Sequence, residues 1–153
     1  ARIITSNAGY TLDTFMVVDA DTGEPIEDAA RIQAVSSKIR SAIRSGSITT
    51  VAPTSATKRK IKHFTIPATV EFYTDHTHKC TVMEVVATDQ PGVLSKIGRA
   101  LQDCEVRLHD ARIATFGAHV EDYFYITDRD NRQLDTEIQI PPLKSAVIEA
   151  LQD

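Results

Sequence analysis

The amino-acid sequence predicts an α+β fold of the ferredoxin-like βαββαβ type, an antiparallel sheet with both helices on one face. It is expected as a tandem pair whose first copy is truncated. Three observations carry this expectation. A hairpin motif occurs twice, an amphipathic helical pattern follows each occurrence, and a strongly apolar strand pattern turns directly into a third helix.

The repeat is read first. Ala1-Arg2-Ile3-x-Thr5 matches Ala111-Arg112-Ile113-x-Thr115. After a one-residue difference in the turn, Asp13-x-Phe15-x-Val17-x-Asp19 matches Asp122-x-Phe124-x-Ile126-x-Asp128. Each copy pairs β-rich runs around a turn, Ser6-Asn7-Ala8-Gly9 in the first and Gly117-Ala118-His119 in the second, which is a hairpin signal. Phe15 and Val17 are expected on one strand face. Asp13 and Asp122 share the parity of the core-facing Phe and are expected at strand starts that water can reach.

A helix follows each hairpin. Ile32, Val35, Ile39, Ala42 and Ile43 recur at helical spacing, with Asp28 as the N-cap and Gly46 as the terminating residue. In the second copy Leu143, Ala146, Val147, Ala150 and Leu151 recur likewise, and Pro141-Pro142 falls in the first turn, where a missing N–H costs least. Between the copies, residues 64–75 read as a strand with Val70 and Phe72 on one face. Cys80 to Ala87 reads as a buried strand, and Val93, Leu94, Ile97, Ala100, Leu101 and Cys104 mark a helix. The order is thus β-β-α-linker-β and then β-α-β-β-α. The domain reading is 1–75 for a partial first copy lacking its first strand and helix, with a linker at 45–62, and 76–153 for the second copy. The abrupt, strand-like opening Ala1-Arg2-Ile3-Ile4-Thr5 reads as a cut.

Composition narrows the function. A net charge of −4 and a pI near 5.7 argue against a generic nucleic-acid binder. The basic run Lys58-Arg59-Lys60 reads as a solvated linker. Cys80 and Cys104 are expected as small buried hydrophobes, in keeping with a reducing cytoplasm. No apolar run reaches the length of a membrane span.

Thr88-Asp89-Gln90-Pro91-Gly92-Val93-Leu94 is the most informative segment. Asp89 or Gln90 is expected to cap the helix, with Pro91 preset for its first turn and Gly92 leaving that turn bare. Free N–H groups at the helix start form an anion site, so a ligand carboxylate can dock there while Asp89 or Gln90 reads an amino or amide group. A well-capped turn without a ligand is the alternative.

Asp89-x-Pro91-Gly92-x-Leu94 at the end of the first strand resembles the ACT signature. The stretch from Met83 to Leu94, then Leu108-His109-Asp110-Ala111-Arg112-Ile113-x-Thr115-x-Gly117, then Glu121-Asp122-x-Phe124, resembles the C-terminal ACT pair of the bifunctional PII uridylyltransferase/uridylyl-removing enzymes, over essentially the whole chain. That resemblance implies a regulatory, non-catalytic module that senses glutamine in nitrogen signalling. Its parent is a nucleotidyltransferase and phosphodiesterase acting on the PII protein. It implies ligand contacts at Asp89, Gln90, Pro91, Gly92, Val93 and Leu94, with His109, Asp110 and Ala111 on strand two, across an interface to another ACT unit. It also implies pairing between ACT units or a homodimer, no cofactor in this segment, and magnesium only in the parent's catalytic domains. A ligand-free dimerisation module, and a regulatory domain of an amino-acid biosynthetic enzyme, stay open beside it.

Other constellations are weaker. Asp75 with His76-x-His78 has metal-ligand spacing but no third partner placed by sequence. His109-Asp110 looks like a dyad, but strand neighbours are expected to face opposite ways. Asp128-Arg129-Asp130-Asn131 lacks the Gly and distal Glu of a calcium loop and reads as a turn. Tyr123-Phe124-Tyr125 has the look of RNA-stacking aromatics, but Glu121-Asp122 adjoin it and the basic aromatic motif of such domains is missing.

Overall fold

The computed structural model describes residues 1–6, 10–19, 21–46 and 66–152. The Asn7-Ala8-Gly9 part of the first turn, the Lys58-Arg59-Lys60 run and most of the 45–62 linker lie outside the described residues. The chain forms two compact units, Phe15–Ala52 and Ala1–Thr14 with Pro53–Asp153.

The larger unit contains strands β1 (Arg2–Thr5), β2 (Thr11–Thr14), β3 (Thr69–Asp75), β4 (Cys80–Thr88), β5 (Arg107–Phe116) and β6 (His119–Thr127). They form one antiparallel sheet in the order β2-β1-β5-β6-β4-β3. Helix α2 (Val93–Asp103) links β4 to β5, and α3 (Ile140–Gln152) follows β6. Both helices cover the same face. Val93, Ile97, Ala100 and Leu101 of α2 and Leu143, Val147 and Leu151 of α3 share one core with Val70, Met83, Val85, Ala87, Ala111, Val120, Phe124 and Ile126 of the strands. Burying the Val, Leu, Ile, Met and Phe side chains among them contributes ~1.5–3 kcal/mol each. The architecture is the α+β, ferredoxin-like ACT fold that the element order predicts.

One strand arrives by an unexpected route. In a βαββαβ unit the strand beside the first comes after the second helix. Here β3 fills that place from upstream, pairing Thr69↔Val86 through Asp75↔Cys80 across the 76–79 turn. The second copy is therefore built in the order ββαββα.

The two copies meet edge to edge. Strand β1 pairs with β5 through Arg2↔Arg112, Ile3↔Ala111 and Ile4↔Asp110. Arg2 and Arg112 are equivalent in the repeat, so the hairpins are related by a pseudo-two-fold axis at that pair. Within each hairpin the register is also the same: Ile3↔Asp13 in one, Ile113↔Asp122 in the other. The resemblance extends one turn further. Asp19 accepts the N–H groups of Asp21 and Thr22, and Asp128 those of Asp130 and Arg132. Each carboxylate also bonds an arginine, Arg31 or Arg132. The backbone donors and Arg31 hold Asp19 down at about 2. The Asp128 carboxylate is likewise held below its usual range, first by the Arg132 N–H.

Three expectations are corrected by this geometry. Strand β2 ends at Thr14, and Phe15 and Val17 lie beyond it, both exposed. Asp122 is not at a water-accessible strand start. It sits within β6 with no exposed surface, in the row Val70–Val85–Asp122–Ile113 that faces the helices. His109 and Asp110 do not face opposite ways, because the register slips between Leu108 and Asp110 and turns both side chains toward one cavity.

The smaller unit contains α1 (Ala29–Ser45). Asp28 caps it by accepting the Arg31 N–H at 2.7 Å, and Gly46 ends it in the left-handed region at φ 60°, as the sequence predicts. Its stripe Ile32, Val35, Ile39 and Ile43 is exposed.

Candidate functional site

The β4–α2 turn runs from Asp89 to Gly92. The Asp89 N–H donates to the Ala118 carbonyl at 2.9 Å, which ties the turn to the β5–β6 hairpin. Gly92 is the N-cap, at φ 89°, and no side chain caps the helix. This corrects the expectation that Asp89 or Gln90 does so. The Gln90 Nε2 donates instead to the Leu151 carbonyl at 3.0 Å, closing the turn against the end of α3. Pro91 precedes the cap and so lies outside the first turn, where the sequence placed it. Helix geometry leaves the Leu94 and Ser95 N–H groups without intrahelical acceptors, while the Lys96 N–H bonds the Gly92 carbonyl at 2.9 Å. Asp89 and Gly92 are exposed, Val93 is buried and Leu94 packs against the core.

The strand-two residues lie elsewhere. The register places Thr88 beside His119 and Phe116, whereas Asp110 pairs with Tyr125. That is six residues along the sheet, or ~20 Å at strand rise. The turn and His109–Asp110 are therefore separate within this chain. Ala111 faces the core with no exposed surface.

His109 and Asp110 line a cavity of about 1240 Å³, together with Ile3, Thr5, Thr11 and Asp13 of the first hairpin, Arg107, Arg112, Tyr125, Thr127, Asn131 and residues 78–80 where the turn enters β4. The ring of His109 shares a hydrogen bond with Thr127 Oγ1 at 2.7 Å. Burial pushes its pKa down, assisted by Arg107, so the neutral ring is favoured. Asp110 Oδ1 is buried with no partner. The guanidinium of Arg112 lies 5.4 Å from the Tyr125 ring centroid. The cavity thus offers both a carboxylate oxygen that lacks a donor and guanidinium groups, which suits a zwitterion.

The remaining candidates are used locally. His78 Nδ1 bonds Asp75 Oδ2 at 2.7 Å, and Asp75 also accepts the Thr77 and His78 N–H groups. Among the described residues no group of three or more His, Cys, Asp and Glu is placed to hold a metal ion. Phe124 is in the core, and Tyr123 and Tyr73 both donate to Glu84 at 2.8 Å on the other face. No described helix is long and apolar enough to cross a membrane.

Sequence reasoning missed Asp122 as a buried group. Burial pushes its carboxyl up to about 6, against the Ala114 N–H that donates to Oδ1 at 3.2 Å; Oδ2 has no partner. Its parity with Phe124 is the signal that could have found it.

Fold and repeat together define an α+β module with the ferredoxin-like ACT fold. Comparison with known proteins takes this further. No protein-family model and no solved structure match the chain. It is 37% identical over all 153 residues to the bifunctional uridylyltransferase/uridylyl-removing enzyme of Methylococcus capsulatus, and 36% identical over 152 residues to that of Pseudomonas entomophila. The enzyme of the same name from Azotobacter vinelandii is 36% identical over 153 residues. The chain spans 17% of the length of each of these relatives. Over its whole length it is homologous to a region of the bifunctional uridylyltransferase/uridylyl-removing enzymes.

Proposed function

We propose that this chain is the glutamine-sensing part of such an enzyme, acting in the cytoplasm on a PII signalling protein. The observation that supports it most is the pairing of an uncapped, glycine-started helix N-terminus with a second polar site on the same sheet. The module does no chemistry. A ligand acts by favouring one arrangement of the two copies over another, and it shifts the parent's two activities only by its differential affinity for them. The β1–β5 seam is short, three paired residues, and sets like charges Arg2 and Arg112 opposite each other, which disfavours it. A seam of that kind is easily biased.

The test is calorimetry of the natural-length protein with glutamine, glutamate and other small amino acids. Saturable binding of glutamine in preference to glutamate is expected. Absence of binding by every amino acid would leave the ligand-free pairing module as the reading, which the edge-to-edge seam also supports.

A further inference from the structure

We propose that the sheet face opposite the helices is the interface for a second copy of this chain, packed face to face about a two-fold axis that runs along β6 at Tyr123. This is independent of the ligand reading above.

The helices cover the face that carries Val85, Phe124 and Ala111. On the other face the strand registers align side chains in rows. The central row runs across all six strands as Glu71, Glu84, Tyr123, Arg112, Arg2 and Thr14. Two carboxylates are therefore neighbours on one side of Tyr123, and two guanidinium groups are neighbours on the other. Like charges directly opposite on adjacent strands are disfavoured, and this row holds two such pairs. Within the chain they are relieved only in part. Tyr73 and Tyr123 donate to Glu84, and Lys144 reaches Glu71 at 3.4 Å. Arg112 lies against the Tyr125 ring, which leaves its charge in place.

The row is complementary to itself when reversed. A two-fold axis along β6 keeps each residue at its own level and exchanges the two sides of the sheet. Glu84 then faces Arg112 of the second copy, Glu71 faces its Arg2, and Tyr123 faces its Tyr123. One axis serves all four charges of each chain, as a closed isologous contact requires.

The flanking rows supply apolar surface. Tyr73, Val82, Tyr125, Ile4 and Leu12 share one of them with Asp110, and Tyr73 and Leu12 are exposed. Val82 and Val86 flank Glu84, so β4 is apolar on both faces, the pattern of a strand covered on both sides. Six strands at ~4.8 Å and three rows at ~6.7 Å give on the order of 500 Å² per copy, or about 1000 Å² in total, the lower range for a specific contact. A contact of that size makes a dimer that depends on concentration and on salt. The third row, Thr69, Val86, Glu121 and Ala114, sets Glu121 against its own copy on the axis. That is the one like-charge contact in these rows, and it provides a separate test.

The experiment is sedimentation equilibrium of the natural-length protein. Wild type should dimerise reversibly, with a dissociation constant that rises with added salt. The double variants Arg2→Glu/Arg112→Glu and Glu71→Arg/Glu84→Arg should each self-associate at least tenfold more weakly, because like charges then face each other. An equimolar mixture of the two should regain the wild-type constant to within about threefold, since every opposed pair is again unlike. Glu121→Gln should tighten the wild-type dimer. Should the Glu84 substitution prevent folding, the single variants Arg2→Glu and Glu71→Arg, both at exposed residues, replace the doubles and should show the same loss and recovery at smaller size. A wild type that stays monomeric at ~100 μM overturns the proposal. So does self-association by the charge variants equal to that of wild type, a mixture that fails to recover, or a Glu121→Gln dimer no tighter than wild type.

Discussion

The two hairpins of this molecule have the same register and opposite environments. Ile3 faces Asp13 as Ile113 faces Asp122. Yet Phe124 is 3% exposed where its counterpart Phe15 is 55% exposed, and Ile126 is fully buried where Val17 is exposed. Asp122 is buried and Asp13 is open to water. The local sequence sets the hairpin, and the burial comes from outside it. β6 is flanked by β4 and covered by α2 and α3, whereas β2 is the sheet edge. Equivalent residues therefore carry different energies.

The largest expected difference is at the phenylalanines. Phe124→Ala should cost ~3–5 kcal/mol by urea unfolding, and Phe15→Ala less than about 1 kcal/mol. Equal costs would break the comparison.

The aspartates come next. The Asp122 carboxyl has an ordinary value of 3.8 and a folded value of about 6. The native state therefore binds more protons between those values, so stability falls as pH rises through that window, and the cost is fully in force above it. Asp122→Asn should stabilise the protein by up to about 3 kcal/mol at pH 7.5, with the gain shrinking toward pH 4. Thermal melts across that range measure it, and Asp13→Asn should leave them unchanged. A destabilised Asp122→Asn would show that the buried charge is compensated after all.

The smallest effect contrasts two helix starts. Removing the side-chain cap of α1 by Asp28→Ala should cost ~1 kcal/mol locally, read as faster amide exchange at Arg31. α2 has no such cap to lose.

Much of this was legible in the sequence. The repeat, the helices with the Asp28 and Gly46 caps of α1, and the turn from buried strand to α2 follow from short-range pattern. The sheet partners do not. Nothing local says that β3 fills the last strand's place, or that β1 docks on β5. The slip at His109 was hidden for the same reason, since a bulge is defined by the strand opposite. Asp122 was misjudged because a charged residue on an apolar face is ordinarily rescued by water, and only the flanking strand and helices take that water away. The turn residues were recognised in sequence, but their separation from His109–Asp110 needed the register.

The central claim is that the turn carries the ligand that switches the parent's activities. The direct measurement is the rate of PII uridylylation and of uridylyl removal by the natural-length protein, with and without glutamine, for wild type and Gly92→Val. At φ 89° a β-branched residue is strained although its Cβ meets no neighbour within 4 Å, so the turn should be distorted without a clash elsewhere. The account predicts that glutamine moves the two rates in opposite directions in wild type and moves neither in Gly92→Val. A variant that glutamine still switches normally would contradict it.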